Sequence, residues 1–175
     1  TVDGKLYGFL FKAANKSLVW YNAKAYSDAG VEPADDWDTW LKNGDTLAAS
    51  GVPPYSIGGA DGWTLTDLFE NIYLRSAGPE KYDQLAKHEI KWTDPSVKDA
   101  LTTLAQVWGK KDYVAGGAKG ALQVDFPASV TQTFTGGDQP KAAMVYEGRL
   151  RAGQHPDGQG EGRHGREGVP VPEGR

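Results

Sequence analysis

The feature that most limits what this chain can build is a change of composition just after Tyr146. Before that point aromatic and branched apolar residues recur every few positions. Beyond it no Phe, Tyr or Trp occurs, leucine appears only at Leu150, and the text reads GQHPDGQGEGRHGREGVPVPEGR. Such a stretch of Gly, Arg and Pro has too little apolar surface to offset the conformational entropy lost on ordering. The core must therefore come from residues before Gly148, and residues 149–175 read as a disordered tail or as the product of a shifted reading frame. Back-translating Gly148 to Pro172 with permitted codons and reading one base over gives GDFVRGNIPTDKAKVGTDAKVFPFP, which restores aromatics and lysines. On that second reading His155, His164 and the tail arginines carry no function.

The 175 residues are enough for one ordinary domain, and a 39% hydrophobic content is enough for its core. A net charge of -4, with no basic cluster before the tail, argues against a nucleic-acid or anionic-membrane partner. There is no cysteine, so no disulfide framework, thiolate metal site or thiol nucleophile enters. No apolar run is long enough to span a bilayer, and the opening TVDGKLYGF has neither an initiator methionine nor a signal segment, which leads us to expect that the true N-terminus lies upstream. The 6 Trp and 8 Tyr often stand beside Gly, Asn and Asp. That pairing suits flat, polar ligands, because rings offer apolar faces while amides and carboxylates offer hydrogen bonds.

Along the chain, LYGFLF and SLVWYN read as two strands joined by the polar link KAANK. Ala23 to Ala29 reads as a short helix closed by Gly30, and Asp36 or Asp38 caps a helix through Trp40, Leu41 and Leu47 to Gly51. Val52 to Ile57 is a candidate strand, followed by the glycine turn 58–62. A helix from about Thr64 to Ser76 shows Leu65, Leu68, Phe69, Ile72 and Tyr73 on one face, and Gly78-Pro79 separates it from a polar helix over 80–87. Asp94, with Pro95 at the first helical position, opens a helix whose apolar stripe is Val97, Ala100, Leu101, Leu104, Val107 and Trp108. Gly116 to Gly120 reads as a loop, Pro127 to Thr133 as a short helix, and Lys141 to Tyr146 as a buried strand.

Taken in order, GKLYGFLFKAANKSLVWYN, AYSDAGVEP, DDWDTWLKNGDTLAASGV, PYSIGGADGWTLTDLFENIYLR, WTDPSVKDALTTLAQV and PKAAMVYEG resemble the bacterial extracellular solute-binding proteins that feed carbohydrates to ABC importers. The resemblance covers nearly everything before Arg149. It implies an α/β fold of the periplasmic-binding-protein type, here mainly the second lobe plus crossing strands, with the first lobe incomplete. Residues 1–22 would end the first lobe and cross over, 23–139 would be most of the second lobe, and 140–148 would return. Leu10 departs from the pattern, because the family usually has a proline before the crossing strand. Without the rest of the first lobe, LYGFLF and AAMVY are expected to lack sheet partners. The resemblance also implies a sugar or oligosaccharide ligand held between lobes, ABC permease subunits as partners, an extracytoplasmic location for the parent protein, and no cofactor, metal or nucleic acid.

Six residues are candidates for ligand contact. Trp63 follows a glycine turn, opens a helix and resembles the ring on which the family stacks a sugar; otherwise it packs under the turn. Asp61 is a charged acceptor for sugar hydroxyls or a cap for the helix from Thr64. Glu147 and Tyr146 stand where the returning strand meets the cleft, and a surface carboxylate at a strand end is the plainer alternative for Glu147. Lys12 and Asn15, with Lys16, lie on the polar link and reach a ligand or simply solvent, while Trp20 suits hinge core. A glycosidase would need two of Asp61, Glu70 and Glu147 at a defined separation across a sugar, and nothing in the text places them so. His88 is isolated, which leaves no histidine set for a metal or for catalysis. The expectation is a binding protein and not an enzyme. The alternatives are a non-binding remnant of such a gene and, more remotely, a carbohydrate-active enzyme.

Overall fold

The structure is a computed structural model and describes residues 3–9, 16–135 and 139–147. Its elements run β1 (Leu18–Tyr21), α1 (Ala23–Ala29), α2 (Trp37–Ala49), β2 (Tyr55–Ser56), a 3-10 turn (Gly59–Asp61), α3 (Thr64–Ala86), α4 (Pro95–Trp108), α5 (Gly117–Ala121), α6 (Phe126–Phe134) and β3 (Met144–Glu147). The strands form one sheet in the order β1-β3-β2. β1 is antiparallel to β3, with Leu18 opposite Glu147 and Tyr21 opposite Met144. β2 is parallel to β3, with Tyr55 opposite Met144 and Ser56 opposite Val145.

Side chains alternate across a strand, so the two faces of this sheet can be assigned. Ser56 Oγ donates to Gln132 Oε1 at 2.9 Å, which turns the Ser56, Val145 and Glu147 side toward α6. Met144 points the other way. Its Sδ accepts from Trp40 Nε1 at 3.3 Å and from the Tyr26 hydroxyl at 3.5 Å. On that side the core is an aromatic column, Trp37 to Trp40 to Tyr55 to Tyr113, with ring centroids 5.0, 5.4 and 6.1 Å apart. Leu68, Ile72 and Tyr73 of α3 and Val97, Ala100 and Val107 of α4 complete it, all fully buried. The Tyr55 hydroxyl is buried with no hydrogen-bond partner among the described residues, and burial holds its pKa well above the usual phenol value.

The helix ends follow from local chemistry. Asn22 Oδ1 accepts from Ala25 N at 3.0 Å to start α1, and Gly30, at φ 67°, closes it in a conformation that a Cβ disfavours. Asp36 starts α2 by accepting from the Thr39 amide at 2.7 Å and the Thr39 hydroxyl at 2.8 Å. Asp94 starts α4 by accepting from Ser96 N at 2.9 Å, with Pro95 following it. The two helices expected over 64–76 and 80–87 are both present as the two arms of α3, broken where Gly78 leaves helical space at φ 84° and Pro79 restarts the helix.

The Asp36 and Asp94 caps, together with Asp45, which accepts from the Tyr113 hydroxyl, give a pH dependence. The Thr39 amide and then its hydroxyl hold the Asp36 carboxyl below its usual value; the Ser96 hydroxyl and then its amide do so for Asp94, and the Tyr113 hydroxyl and then Lys110 for Asp45. A carboxyl whose folded pKa is depressed stabilises the fold above its unfolded pKa and loses that contribution as pH falls through the folded one. Stability is therefore expected to be flat near neutrality and to fall below about pH 4. Melting temperature measured against pH should show this, with a shallower fall in Asp36→Asn, which still caps but does not titrate. A melting temperature that does not fall in acid would contradict these pairings.

Five expectations need correction. LYGFLF is no strand over its described part, Leu6 to Phe9, where Leu6, Tyr7 and Phe9 are exposed: β-prone residues form a strand only beside a partner, and none adjoins them among the described residues. AAMVY does have partners, and β3 is the buried central strand of the sheet. Gly116 to Gly120 is largely helical, because α5 lets Ala121 pack with Ile57 and Val114 in a second small cluster. Leu101, placed in the apolar stripe of α4, is 50% exposed, since the buried face is set by Val97, Ala100 and Val107. The expected strand over 52–57 shortens to two residues because Pro53 and Pro54 have no N–H for a ladder; their carbonyls still accept from Ala143 N at 2.9 Å and Met144 N at 2.8 Å. The departure at Leu10 and the tail from Arg149 lie outside the described residues.

Candidate functional site

Four of the six sequence candidates fall within the described residues, and the fold draws them to one end of the sheet. β1 begins at Leu18, opposite Glu147, so the chain just before it, at Lys16, stands where β3 ends. Lys16 reaches from there to the first turn of α3. Its Nζ is 3.0 Å from Asp67 Oδ2 and 4.1 Å from the centroid of the Trp63 ring. The Leu18–Glu147 end of the sheet and the start of α3 are thus a single locality.

Trp63 precedes the first residue of α3 and follows Gly62, whose φ of 75° turns the chain into the helix. Trp63 is 41% exposed, so it does not pack under the turn. Phe126, the first residue of α6, flanks it at 5.4 Å between centroids with a 57° tilt. Asp67 lies in the first turn of α3, where unsatisfied backbone N–H groups favour a negative charge, and its side chain is only 13% exposed. One aromatic face, one ammonium and one largely buried carboxylate therefore meet at the protein surface.

Asp61 holds this surface together. Its Oδ2 accepts from the backbone N–H of Phe126, which fastens the start of α6 to the 3-10 turn. It is not the cap of the helix from Thr64: α3 has no side-chain cap, and the Thr64 hydroxyl instead donates to Gly58 O at 2.6 Å. The α6 amide takes one carboxylate oxygen of Asp61.

Tyr146 and Glu147 lie on opposite faces of β3. Tyr146 shares the core face of Met144 and is 8% exposed, and its hydroxyl is buried without a hydrogen-bond partner among the described residues. Burial holds that hydroxyl's pKa far above the usual phenol value, with the Asp67 charge adding to the effect and Arg75 opposing it. Glu147 is 2% exposed, on the α6 side, which rules out the alternative of a surface carboxylate at a strand end. Lys12 and Asn15 lie outside the described residues.

Sequence reasoning missed Asp67 and Phe126. Asp67 looked like an ordinary polar position on α3, and only the approach of Lys16 marks it. The carboxylates considered for catalysis have other duties: Glu70 is exposed and accepts from the Tyr82 hydroxyl at 3.1 Å, and Asp61 holds α6. Among the described residues no three His, Asp or Glu side chains could together hold a metal ion, and no helix is long and apolar enough to cross a membrane. A hollow of about 820 Å³ at the far end of the sheet is lined by Asp28, Ser50, Pro53, Gln132, Gln139 and Lys141 among others, with no aromatic ring.

Comparison with known proteins agrees with this architecture. The family described as bacterial extracellular solute-binding protein matches residues 1–152. The osmoprotective compounds-binding protein GgtB of Synechocystis sp. is 34% identical over 155 residues, covering 86% of this chain and 36% of that protein. The alpha-glucosides-binding periplasmic protein AglE of Rhizobium meliloti is 32% identical over 167 residues, covering 90% and 36%. Among solved structures, a chitin oligosaccharide binding protein superposes with a TM-score of 0.71 at 32% identity, covering 85% of this chain and 35% of that one. The chain thus spans about a third of the length of the proteins it matches. The fold is the α/β solute-binding-protein type.

Proposed function

This chain belongs to the bacterial extracellular solute-binding proteins, and we propose from that premise that its parent protein captures a sugar or oligosaccharide outside the cytoplasm and delivers it to the permease of an ABC importer. The observation that carries the proposal is the half-exposed Trp63 ring at the start of α3, with Lys16, Asp67 and Phe126 around it. A pyranose stacks its C–H face on such a ring, at little cost in side-chain entropy, while its hydroxyls reach charged partners. Asp61 supplies a carboxylate beside this locality, while Tyr146 and Glu147, 8% and 2% exposed on opposite faces of β3, would have to be uncovered to take part.

In this reading β1 and β3 are the strands by which the chain leaves one lobe and returns, and residues 23–139 form most of the second lobe. Their antiparallel pairing supports it, since an outgoing and a returning strand run in opposite directions. Closure of two lobes around a ligand that contacts both is what would couple capture to delivery. A binding role is favoured over catalysis by the relatives' names, which describe binding proteins.

The test is calorimetric titration of the full-length protein with maltose and with N,N′-diacetylchitobiose, sugars of the kinds named for two of the relatives. Trp63→Ala is expected to weaken binding by about tenfold, with little loss of fold stability because the ring is substantially exposed. Unchanged affinity in that variant would remove Trp63 from the site. Release of free sugar from a glycan would support an enzyme instead.

A further inference from the structure

We propose that Lys16 is an internal competitor for the ligand face of Trp63, so that it sets how tightly this site holds an uncharged sugar. The inference rests on the sugar reading of Trp63 and names a residue that regulates it. Lys16 Nζ lies 4.1 Å from the ring centroid, within the distance at which an ammonium is drawn to an indole face. The same atom is 3.0 Å from Asp67 Oδ2. Asp67 is fixed in the first turn of α3 and its side chain is 13% exposed, whereas the Lys16 side chain is 50% exposed. The carboxylate is therefore the anchor and the lysine the removable part. Phe126 flanks the same ring at 5.4 Å and a tilt of 57°, which narrows the ways a flat ligand can approach.

A sugar stacking on the face beneath the ammonium has to displace it, and forfeits both the cation–ring attraction and the exposed ion pair. Each is modest, and together they lower affinity by about fivefold. Salt screens the pair, so an uncharged sugar should bind this protein more tightly as ionic strength rises, although the sugar itself carries no charge.

The experiment compares the full-length protein with Lys16→Met, which keeps an apolar stem and drops the charge, by calorimetric titration with maltose and with N,N′-diacetylchitobiose at low and high salt. The expected result is about fivefold tighter binding in Lys16→Met, with the salt dependence gone and the gain absent when Trp63→Ala is added. Acrylamide quenching gives a sugar-free readout: the part of the quenching lost in Trp63→Phe should grow in a Lys16→Ala background, because truncation of the side chain uncovers the ring. Equal or weaker binding by Lys16→Met, while Trp63→Ala still weakens binding, overturns the competition and leaves the sugar site standing. Loss of any Trp63 effect overturns both. Quenching that does not change shows that Lys16 does not cover the ring, and the inference falls whether or not a sugar binds.

Discussion

Trp40→Ala is expected to cost about 3–5 kcal/mol of folding stability, the range for truncating a large aromatic in a core. Trp40 is 2% exposed and is the node at which α2 meets the sheet. It stands edge-on to Trp37 and to Tyr55, and its Nε1 donates to Met144 Sδ in the central strand. Truncation removes apolar contacts on three sides and leaves Met144, which also accepts from the Tyr26 hydroxyl, beside a void. The neighbours cannot collapse inward easily, because Tyr55 and Tyr113 are held by the ladder and by the bond from Tyr55 N to Tyr113 O at 2.9 Å. Since whole domains are stable by only about 5–15 kcal/mol, the variant would be close to unfolding at ordinary temperature. Chemical denaturation should show this, with Trp92→Ala as the internal control: that ring is 63% exposed and its loss should cost well under about 1 kcal/mol. Similar costs for the two variants would mean that the aromatic column is not the core.

Much of the fold was legible because it is fixed within a few residues. Gly30, Asp36 or Asp38, and Asp94 with Pro95 mark helix ends in the text through local chemistry, and the structure uses Gly30, Asp36 and Asp94 at those ends. The core face of α3 was legible for the same reason, as Leu68, Phe69, Ile72 and Tyr73 recur with the helical period and are buried. Strands were less legible, because a strand is stabilised by a neighbour that can be anywhere in the chain. LYGFLF and AAMVY look alike as text. One lies exposed over its described part, and the other is the sheet's centre.

The site divides in the same way. Trp63 was singled out from its place after a glycine turn, and Tyr146 and Glu147 from their place at the end of an apolar strand, although the burial of Glu147 was not foreseen. Asp67 gave no signal, because its partner Lys16 is distant in sequence and only the pairing of β1 with β3 brings that end of the chain to α3. Phe126 was equally silent. Its ring reaches Trp63 through the docking of α6 on the 3-10 turn, a contact that no local pattern reports.

That docking leads to the second large effect, at Gly58. Gly58→Ala is expected to destabilise the fold by about 2–3 kcal/mol, the upper part of the range for overpacking. A Cβ there would lie 2.8 Å from Phe126 Cα, 2.9 Å from Phe126 N and 3.0 Å from the Asp125 carbonyl carbon. All three are backbone atoms, so no side chain can rotate away and the whole start of α6 has to move. It is not free to do so. Asp61 accepts from Phe126 N, Ala60 N donates to Val124 O at 3.0 Å, and the Thr64 hydroxyl holds Gly58 O at 2.6 Å. If α6 is pushed outward, the Phe126 ring leaves the flank of Trp63, and sugar binding should weaken along with stability even though Gly58 carries no ligand group. Gly51→Ala serves as a contrast: a Cβ there meets nothing within 4 Å, but the φ of 89° strains the backbone. It should therefore cost stability through strain alone and leave binding unchanged. Denaturation and calorimetric titration of the two variants separate these effects. If Gly58→Ala lost stability without losing affinity, the seating of α6 would be structural only, and Phe126 would have no part in shaping the face of Trp63.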